Sequence, residues 1–321
     1  MRPPSAVDDR LRSLLQKAVR RGHTELVASA SAMIESRDPQ PEEWFDKRTA
    51  VIVFAECWPL GGQLRAARGL AGKVAALCRA AAASKLRDAS GLGLLAFALA
   101  RGDTATLDGS TRDKAVRLIA RAIEHPAGFW DWVEGRPVEP PARELIANAR
   151  RCKQGTRPHD KAVIQAAAYL AATDRLPEIA AAPEHEPGFP FWVAFDRHTP
   201  EGKRALHDVA RDLHIPLPHL EWISYYFEGA RTNAEIPSTW WQAYCAWRFR
   251  RIGVQPEEAH LIWEPARRQL VDALAEDGRR FQIELYRWKL ANLERIEALK
   301  RQVNLFWEHA AAARSDQARL F

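Results

Sequence analysis

Long apolar runs are missing from this sequence, and cysteine is scarce in it. No stretch of about 18 uncharged apolar residues occurs along the 321-residue chain, so we expect no transmembrane helix. The first 15 residues contain aspartate and arginine where a secretory signal peptide would be apolar. The four cysteines, at positions 57, 78, 152 and 245, lie far apart without metal-ligand spacing. We therefore expect a cytoplasmic protein with reduced, mostly buried thiols and no membrane contact.

The signatures of the common enzyme classes are missing as well. No Gly-x-Ser-x-Gly elbow, Cys/His nucleophile signature or dinucleotide fingerprint occurs. Residues 69–73 (GLAGK) resemble a phosphate loop only in part, because two residues instead of four separate the glycines and Val74 follows the lysine. A helix-packing face of small residues is the better interpretation. The sequence thus favours a non-catalytic chain that needs no cofactor.

Arginine is the residue type that the sequence has in excess. The chain carries 47 Lys and Arg, of which 37 are Arg, against 41 Asp and Glu, for a net charge of +6. Guanidinium groups bind phosphate in a bidentate manner and stack on bases, which makes the composition compatible with a nucleic-acid partner. A GC-rich genome, whose codons favour Arg and Ala, explains the same composition without such a partner.

Helical periodicity dominates the chain and predicts an all-α fold, a multi-helix array with a long C-terminal helix. Leu11, Leu14, Leu15, Ala18 and Val19 form the apolar face of a first helix, which Gly22 should end. No strand-like alternation stands out. Residues 125–141, with four prolines, are expected to be irregular. We divide the chain into a collar-like helical domain (1–172), a proline-rich connection (173–202) and a second helical region (203–321).

The final helix carries an apolar seam from Phe281 to Ala310, with residues recurring every three or four positions. One polar residue, Asn292, interrupts it. We expect the seam to be buried, either against the rest of the chain or against another helix. The large side chains predicted to form this interface are Leu285, Trp288, Leu299 and Phe306.

A first basic group lies in residues 195–204 (FDRHTPEGKR). Thr199 is a good N-cap with Pro200 in the first helical position, which gives the segment a structural explanation. The cations around this helix N-terminus also suit an anion, because the helix dipole favours negative charge there. The candidate phosphate-contacting residues are Arg197, His198, Lys203 and Arg204.

A second basic group follows an aromatic stripe in residues 240–251 (WWQAYCAWRFRR). Trp240, Tyr244 and Trp247 share one helix face, which favours a core position and leaves stacking on single strands or a protein interface open. The candidate DNA-binding cations here are Arg248, Arg250 and Arg251. If both basic groups form one surface, it should bind DNA through phosphates with little sequence preference.

A cluster of histidine and aspartate supplies a rival interpretation. His207-Asp208 on a helix resembles the metal pair of the all-helical HD-type phosphohydrolases. Such a site needs further ligands, and His185 and Asp272 are proposals without a motif to support them. We therefore expect no bound metal. The remaining cluster members are Asp196, His198, Asp212, His214 and His219.

The N-terminal half resembles the helical collar of the clamp-loader group of AAA+ ATPases, most closely that of the replication-associated recombination protein A (MgsA) family. The resemblance rests on residues 15–28 (LQKAVRRGHTELVA), 47–56 (KRTAVIVFAE) and 167–171 (AAYLA). It implies a collar that oligomerises and helps to hold an assembly on DNA. In that family an ATPase module precedes the collar, whereas this sequence starts at the collar, so the resemblance implies a collar without a motor that assembles with itself or with a partner ATPase.

These observations lead to one favoured hypothesis and two rivals. The favoured one is a non-catalytic helical protein of DNA replication, repair or a mobile element, which assembles with itself or a partner ATPase and contacts the DNA backbone. The first rival is the metal-dependent phosphohydrolase that would use His207 and Asp208. The second is a helical scaffold that binds proteins alone.

Overall fold

The described part of the chain is built from α-helices, as the periodicity predicts. The computed structural model describes residues 8–65, 67–83, 125–137, 140–152, 166–167, 170–171, 181, 188–232, 245–246 and 248–319. Within these ranges there is no β-strand, only an isolated bridge between Ala83 and Ala181. The α-helices, in chain order, are α1 (Asp9–Arg20), α2 (Thr24–Arg37), α3 (Pro41–Cys57), α4 (Gly69–Ala82), α5 (Pro126–Glu134), α6 (Pro140–Cys152), α7 (Pro200–Asp212), α8 (Leu217–Ser224), α9 (Pro256–Ala291) and α10 (Leu293–Arg319). Trp58–Arg65 and Phe191–Ala194 form 3-10 helices, and Tyr225–Gly229 forms a π-helical turn.

Local signals start and stop α1 where the sequence predicts. The Asp8 side chain accepts a hydrogen bond from the Arg10 N–H at 2.9 Å and caps the N-terminus. Gly22 follows the C-terminus with φ +78°, a left-handed conformation that glycine adopts without steric cost. The five residues of the predicted apolar face are all fully buried, and α2 and α4 pack against the helix.

The glycine-containing segment 69–73 has the helix-packing role predicted for it. A Cβ at Gly72 would lie 3.0 Å from the Ala67 backbone and 3.1 Å from the Phe306 ring, so a side chain here would require these neighbours to move by a few tenths of an ångström. Lys73 forms a salt bridge with Asp46. The first turn of α4 thus contacts protein on both sides of its glycine.

The C-terminal region contains two long helices, and the break between them lies inside the predicted seam. α9 has 36 residues and α10 has 27, and Asn292 between them has φ −131° and ψ 27°, outside the helical region. The Asn292 side-chain amide donates to the Trp288 carbonyl at 2.8 Å and competes with the helical backbone bonds. Beyond the break, α10 packs on α2 and α4, whereas α9 packs on Phe191–Ala194, α7 and α8.

The apolar seam lies within the chain's own fold on both sides of the break. Leu285 and Leu299 are buried, and Trp288 and Phe306 are partly buried against the same core. Two salt bridges join α10 to α2 beside this packing. Lys300 lies 2.6 Å from Glu25, and Arg295 lies 2.9 Å from Glu35. The four side chains predicted as an interface therefore pack intramolecularly here. The side chain of Ala310, at the end of the predicted seam, lies outside the described residues.

The prediction of an irregular stretch at 125–141 was wrong. Residues 126–134 form α5 and α6 begins at Pro140, with turn residues after Glu134. Proline at the first position of a helix needs no hydrogen-bond partner for its nitrogen, so Pro126 starts a helix. Proline disrupts a helix in its interior, whereas Pro126 and Pro140 each stand at the start of one.

The segment that leads into α7 is held by two glycine contacts and a cap. A Cβ at Gly278 of α9 would lie 2.7 Å from the Trp192 nitrogen, and one at Gly202 would lie 2.2 Å from the Asp196 carbonyl oxygen. The Thr199 hydroxyl accepts from the Gly202 N–H at 3.1 Å, which confirms the predicted N-cap. These contacts fix the backbone of residues 191–202.

One cluster of buried side chains contains residues from both predicted helical regions. It includes Leu11 and Ile34 from the first region and Trp263, Phe281 and Ile296 from the second. Cys57 and Cys245 are buried and Cys78 is partly buried, and these three described cysteines form no disulfide. Of the helices described, none is both long and apolar enough to cross a membrane.

Candidate functional site

A cleft of about 580 Å³ lies where α1 and α3 meet the segment before α7. The α8 helix, the π-helical turn and α9 complete its lining. Among the described residues, seven Lys or Arg and four Asp or Glu line the cleft. The cations are Arg12, Lys17, Arg20, Lys47, Arg48, Arg197 and Lys203, and His198 lies beside them.

Buried salt bridges join α1 to the elements around the cleft. Arg20 forms a salt bridge with Glu56 of α3 at 2.8 Å and also donates to the Gly229 carbonyl. Arg21 binds the buried Glu228 at 2.6 Å. Because each cation is matched by a carboxylate or carbonyl acceptor, these side chains fix the π-helical turn against α1.

Lys17 and Asp196 form the polar junction between α1 and the segment before α7. The Lys17 ammonium lies 2.7 Å from Asp196 and also donates to the Ser13 hydroxyl and the Val193 carbonyl. Burial lowers the pKa of Lys17, and the Asp196 charge offsets this only in part. Burial alone would raise the pKa of Asp196. The charge of Lys17 and the hydrogen bonds that Asp196 accepts outweigh burial and lower this pKa.

Three cations at the cleft lack an opposing charge. Arg48, Arg197 and Lys203 are exposed, and none forms a salt bridge with an acidic residue that the structure describes. Partial burial lowers the pKa of Arg48, and the nearby positive charge of Arg12 lowers it further. An anion placed in the cleft would relieve this repulsion.

The two basic groups predicted from the sequence converge on Trp222. The Arg197 guanidinium lies 5.6 Å from the centre of the Trp222 ring, and that of Arg248 lies 3.7 Å from it. Both are cation–π contacts. Trp222 forms an edge contact with Tyr225, which lines the cleft, so Arg248 joins the cleft through these rings.

The other predicted site residues divide between the cleft and the surface. Lys203 and His198 line the cleft, whereas Arg204, Arg250 and Arg251 are exposed outside its lining. Residues 240–244 and Trp247 lie outside the described residues, so the aromatic stripe has no structural test.

The cleft also contains aromatic and aliphatic surface. Trp44, Trp192 and Tyr225 line it, and Tyr225 is 37% exposed. Leu270 and Leu274 of α9 add aliphatic lining. Cations beside accessible rings and an apolar floor are suited to a ligand with both phosphate and planar apolar parts.

The cations of α1 and α3 were missed as site residues by sequence reasoning. The family resemblance points to residues 47–48 without assigning them to a site, and the periodicity of α1 points only to its apolar face. The available signal was the opposite stripe, because positions 9, 12, 13, 16, 17 and 20 recur at helical spacing and all line the cleft. Asp9 is the one acidic residue in that stripe.

The histidine–aspartate pair lies apart from the cleft. His207 and Asp208 are neighbours on α7, and their side chains are well exposed, with 3.6 Å between ring nitrogen and carboxylate. Asp208 instead pairs with Arg211 at 3.1 Å. Across the described ranges, no group of three or more His, Cys, Asp or Glu is arranged to hold a metal ion. His185, proposed as a third ligand, lies outside those ranges, and Asp272 is exposed on α9.

The cleft therefore presents unpaired positive charge and accessible rings, but the histidine–aspartate pair contributes nothing to it. No family model, curated protein or solved structure matches the chain.

Proposed function

We propose that this chain is a non-catalytic, cytoplasmic DNA-binding protein of replication, repair or a mobile element, and that its cleft holds the DNA backbone. The observation that carries the proposal is the set of three cleft cations that have no counter-charge among the described residues. Arg48 comes from α3, Arg197 from the segment before α7, and Lys203 from α7 itself. Cations gathered from separate elements around one cleft suit a polyanion that passes between them.

The family resemblance supplies the assembly part of the proposal. The motif residues at 15–28 fall on α1 and α2, and those at 47–56 fall on α3. By analogy with a clamp-loader collar, the protein would assemble with itself or with a partner ATPase and help to hold that assembly on DNA. This part rests on the resemblance alone, and the DNA part rests on the cleft.

A salt titration tests the DNA part. Fluorescence anisotropy with a labelled 20-nucleotide strand would give the dissociation constant at 50 and 200 mM salt. Three phosphate contacts on a single strand predict a salt slope of about 2, which weakens binding roughly 20-fold over that range. Absence of binding at 50 mM salt by the folded protein would reject direct DNA contact and favour the scaffold interpretation.

Charge reversal assigns the binding to the cleft. The variant Arg48→Glu/Lys203→Glu should weaken binding at least tenfold and flatten the salt slope. Its matched control is Arg287→Glu/Arg301→Glu, which changes net charge equally at exposed residues outside the cleft that form no salt bridge with a described residue. Equal losses in the two variants would show that net charge, and not the cleft, governs binding.

A further inference from the structure

We propose that the cleft binds a single nucleic-acid strand with exposed bases and excludes duplex DNA. This inference rests on the proposed function and deepens it, because it names the form of nucleic acid that the cleft takes. Three properties of the cleft support it: its size, its rings and the separate origins of its cations.

The size of the cleft favours one strand. A volume of about 580 Å³ lies in the range of sites for small ligands, about 300–1,000 Å³, whereas the major groove of B-DNA alone is about 12 Å wide. A duplex is wider than its groove, so it could touch only the rim. A single strand can enter and bring its phosphates to side chains inside the cleft, such as Arg12 and Arg48.

The rings favour a strand whose bases are unpaired. Tyr225, which lines the cleft, is 37% exposed, and Trp44 and Trp192 line the same space. Stacking on such side chains is available only to bases released from pairing, and every base offers a face for it. A duplex keeps its bases stacked inside, where these rings cannot reach them.

The arrangement of charge and rings fits the repeat of a strand. Arg48 and Lys47 belong to α3, Arg197 and His198 to the segment before α7, and the aromatic Tyr225 to the π-helical turn. A strand alternates phosphate and base along its length, so phosphates can meet both cationic elements while a base lies on the ring. An inorganic phosphate would use the cations but leave the rings unused.

Three ligands and one pair of variants test the inference by anisotropy at 50 mM salt. The ligands are a labelled dT20 strand, a blunt 20-base-pair duplex and an abasic strand with the same number of phosphates. The variant Tyr225→Ala removes the most exposed ring of the cleft. Its matched control, Tyr286→Ala, removes a tyrosine that is 61% exposed on α9 and does not line the cleft. Circular dichroism confirms that both variants remain folded.

The expected result is that dT20 binds at least tenfold more tightly than the duplex or the abasic strand. Tyr225→Ala should weaken dT20 about 5- to 150-fold and leave the abasic strand unchanged, while Tyr286→Ala changes neither. Equal binding of duplex and strand would overturn the inference and leave the proposed function standing. Displacement of dT20 by thymidine monophosphate at an equal concentration of nucleotide would also overturn it, because the cleft would then be a mononucleotide pocket. Failure of all three ligands to bind would overturn both proposals.

Discussion

Gly278 is the position where one added methyl group should separate helix propensity from tertiary packing. It lies inside α9, where glycine is less favourable than alanine by about 1 kcal/mol. The packing nevertheless requires a residue without a Cβ here, because a Cβ would lie 2.7 Å from the Trp192 nitrogen and 3.0 Å from the Trp192 Cα. Both are backbone atoms, so no side-chain rotation can relieve the overlap in Gly278→Ala.

The size of the effect follows from these two opposing contributions. Overpacking a close contact typically costs about 1–3 kcal/mol, and the backbone position of the overlap favours the upper half of that range. After the gain in helix propensity, Gly278→Ala should lower the free energy of unfolding by about 1–2 kcal/mol. The variant should also weaken DNA binding, because the displaced Trp192 lines the cleft.

Gly128→Ala is the matched control. Gly128 lies in α5, is exposed, and has no atom within 4 Å of the position of an added Cβ. The same substitution there should stabilise the protein by about 0.5–1 kcal/mol. Urea denaturation measures both variants as shifts of the midpoint at constant slope. If Gly278→Ala proved as stabilising as Gly128→Ala, α9 and the segment before α7 would not be in the close contact described here.

Two further predictions concern the charges that hold the cleft together. In Glu228→Gln, Arg21 loses its buried carboxylate, which should lower the free energy of unfolding by about 3–5 kcal/mol in urea denaturation, against little change in the exposed Glu264→Gln. An equal, small effect of both would contradict a buried ion pair. The lowered pKa of Asp196 stabilises the folded state above the unfolded-state value of about 3.9, and this contribution is lost as the pH falls through the folded-state pKa. Asp196→Asn should therefore be less stable than the unsubstituted protein at pH 7, and this difference should shrink as the pH falls below about 4, whereas a difference independent of pH would refute the charge argument.

Sequence reasoning succeeded where the determinant is local. The apolar face of α1, the glycine that ends it at Gly22 and the N-cap at Thr199 each depend on residues within a few positions of one another. Helical periodicity and capping chemistry act at that range. The all-α fold with long C-terminal helices followed from the same signals.

Features that depend on competition between neighbours were harder to predict. Asn292 has the spacing of a seam residue, but its side chain takes the Trp288 carbonyl and the helix ends there. Pro126 belongs to a residue type that ends helices, but at the first position of α5 it begins one. In both cases the residue type allowed two outcomes, and packing around it decided between them.

The cleft depended on contacts between distant parts of the chain. The sequence left open whether the two basic groups meet, and in the structure Arg197 and Arg248, one residue from each group, both contact Trp222. The approach of Arg12 and Arg48 to the same region was not predicted, because nothing in the sequence relates α1 and α3 to residues 195–204. The sequence shows the cationic stripe of α1, but it does not show which residues the fold places opposite that stripe.

Photo-cross-linking tests most directly whether the cleft is where nucleic acid binds. A single strand with 5-iodouracil at several positions would be irradiated with the full-length protein at 50 mM salt, and the attached peptides identified by mass spectrometry. Cleft binding predicts cross-links concentrated in peptides that contain Trp44 or Tyr225, lost in Arg48→Glu/Lys203→Glu and retained in Arg287→Glu/Arg301→Glu. Cross-links confined to the exposed outer surfaces of α9 and α10, unchanged by the cleft variant, would contradict the account.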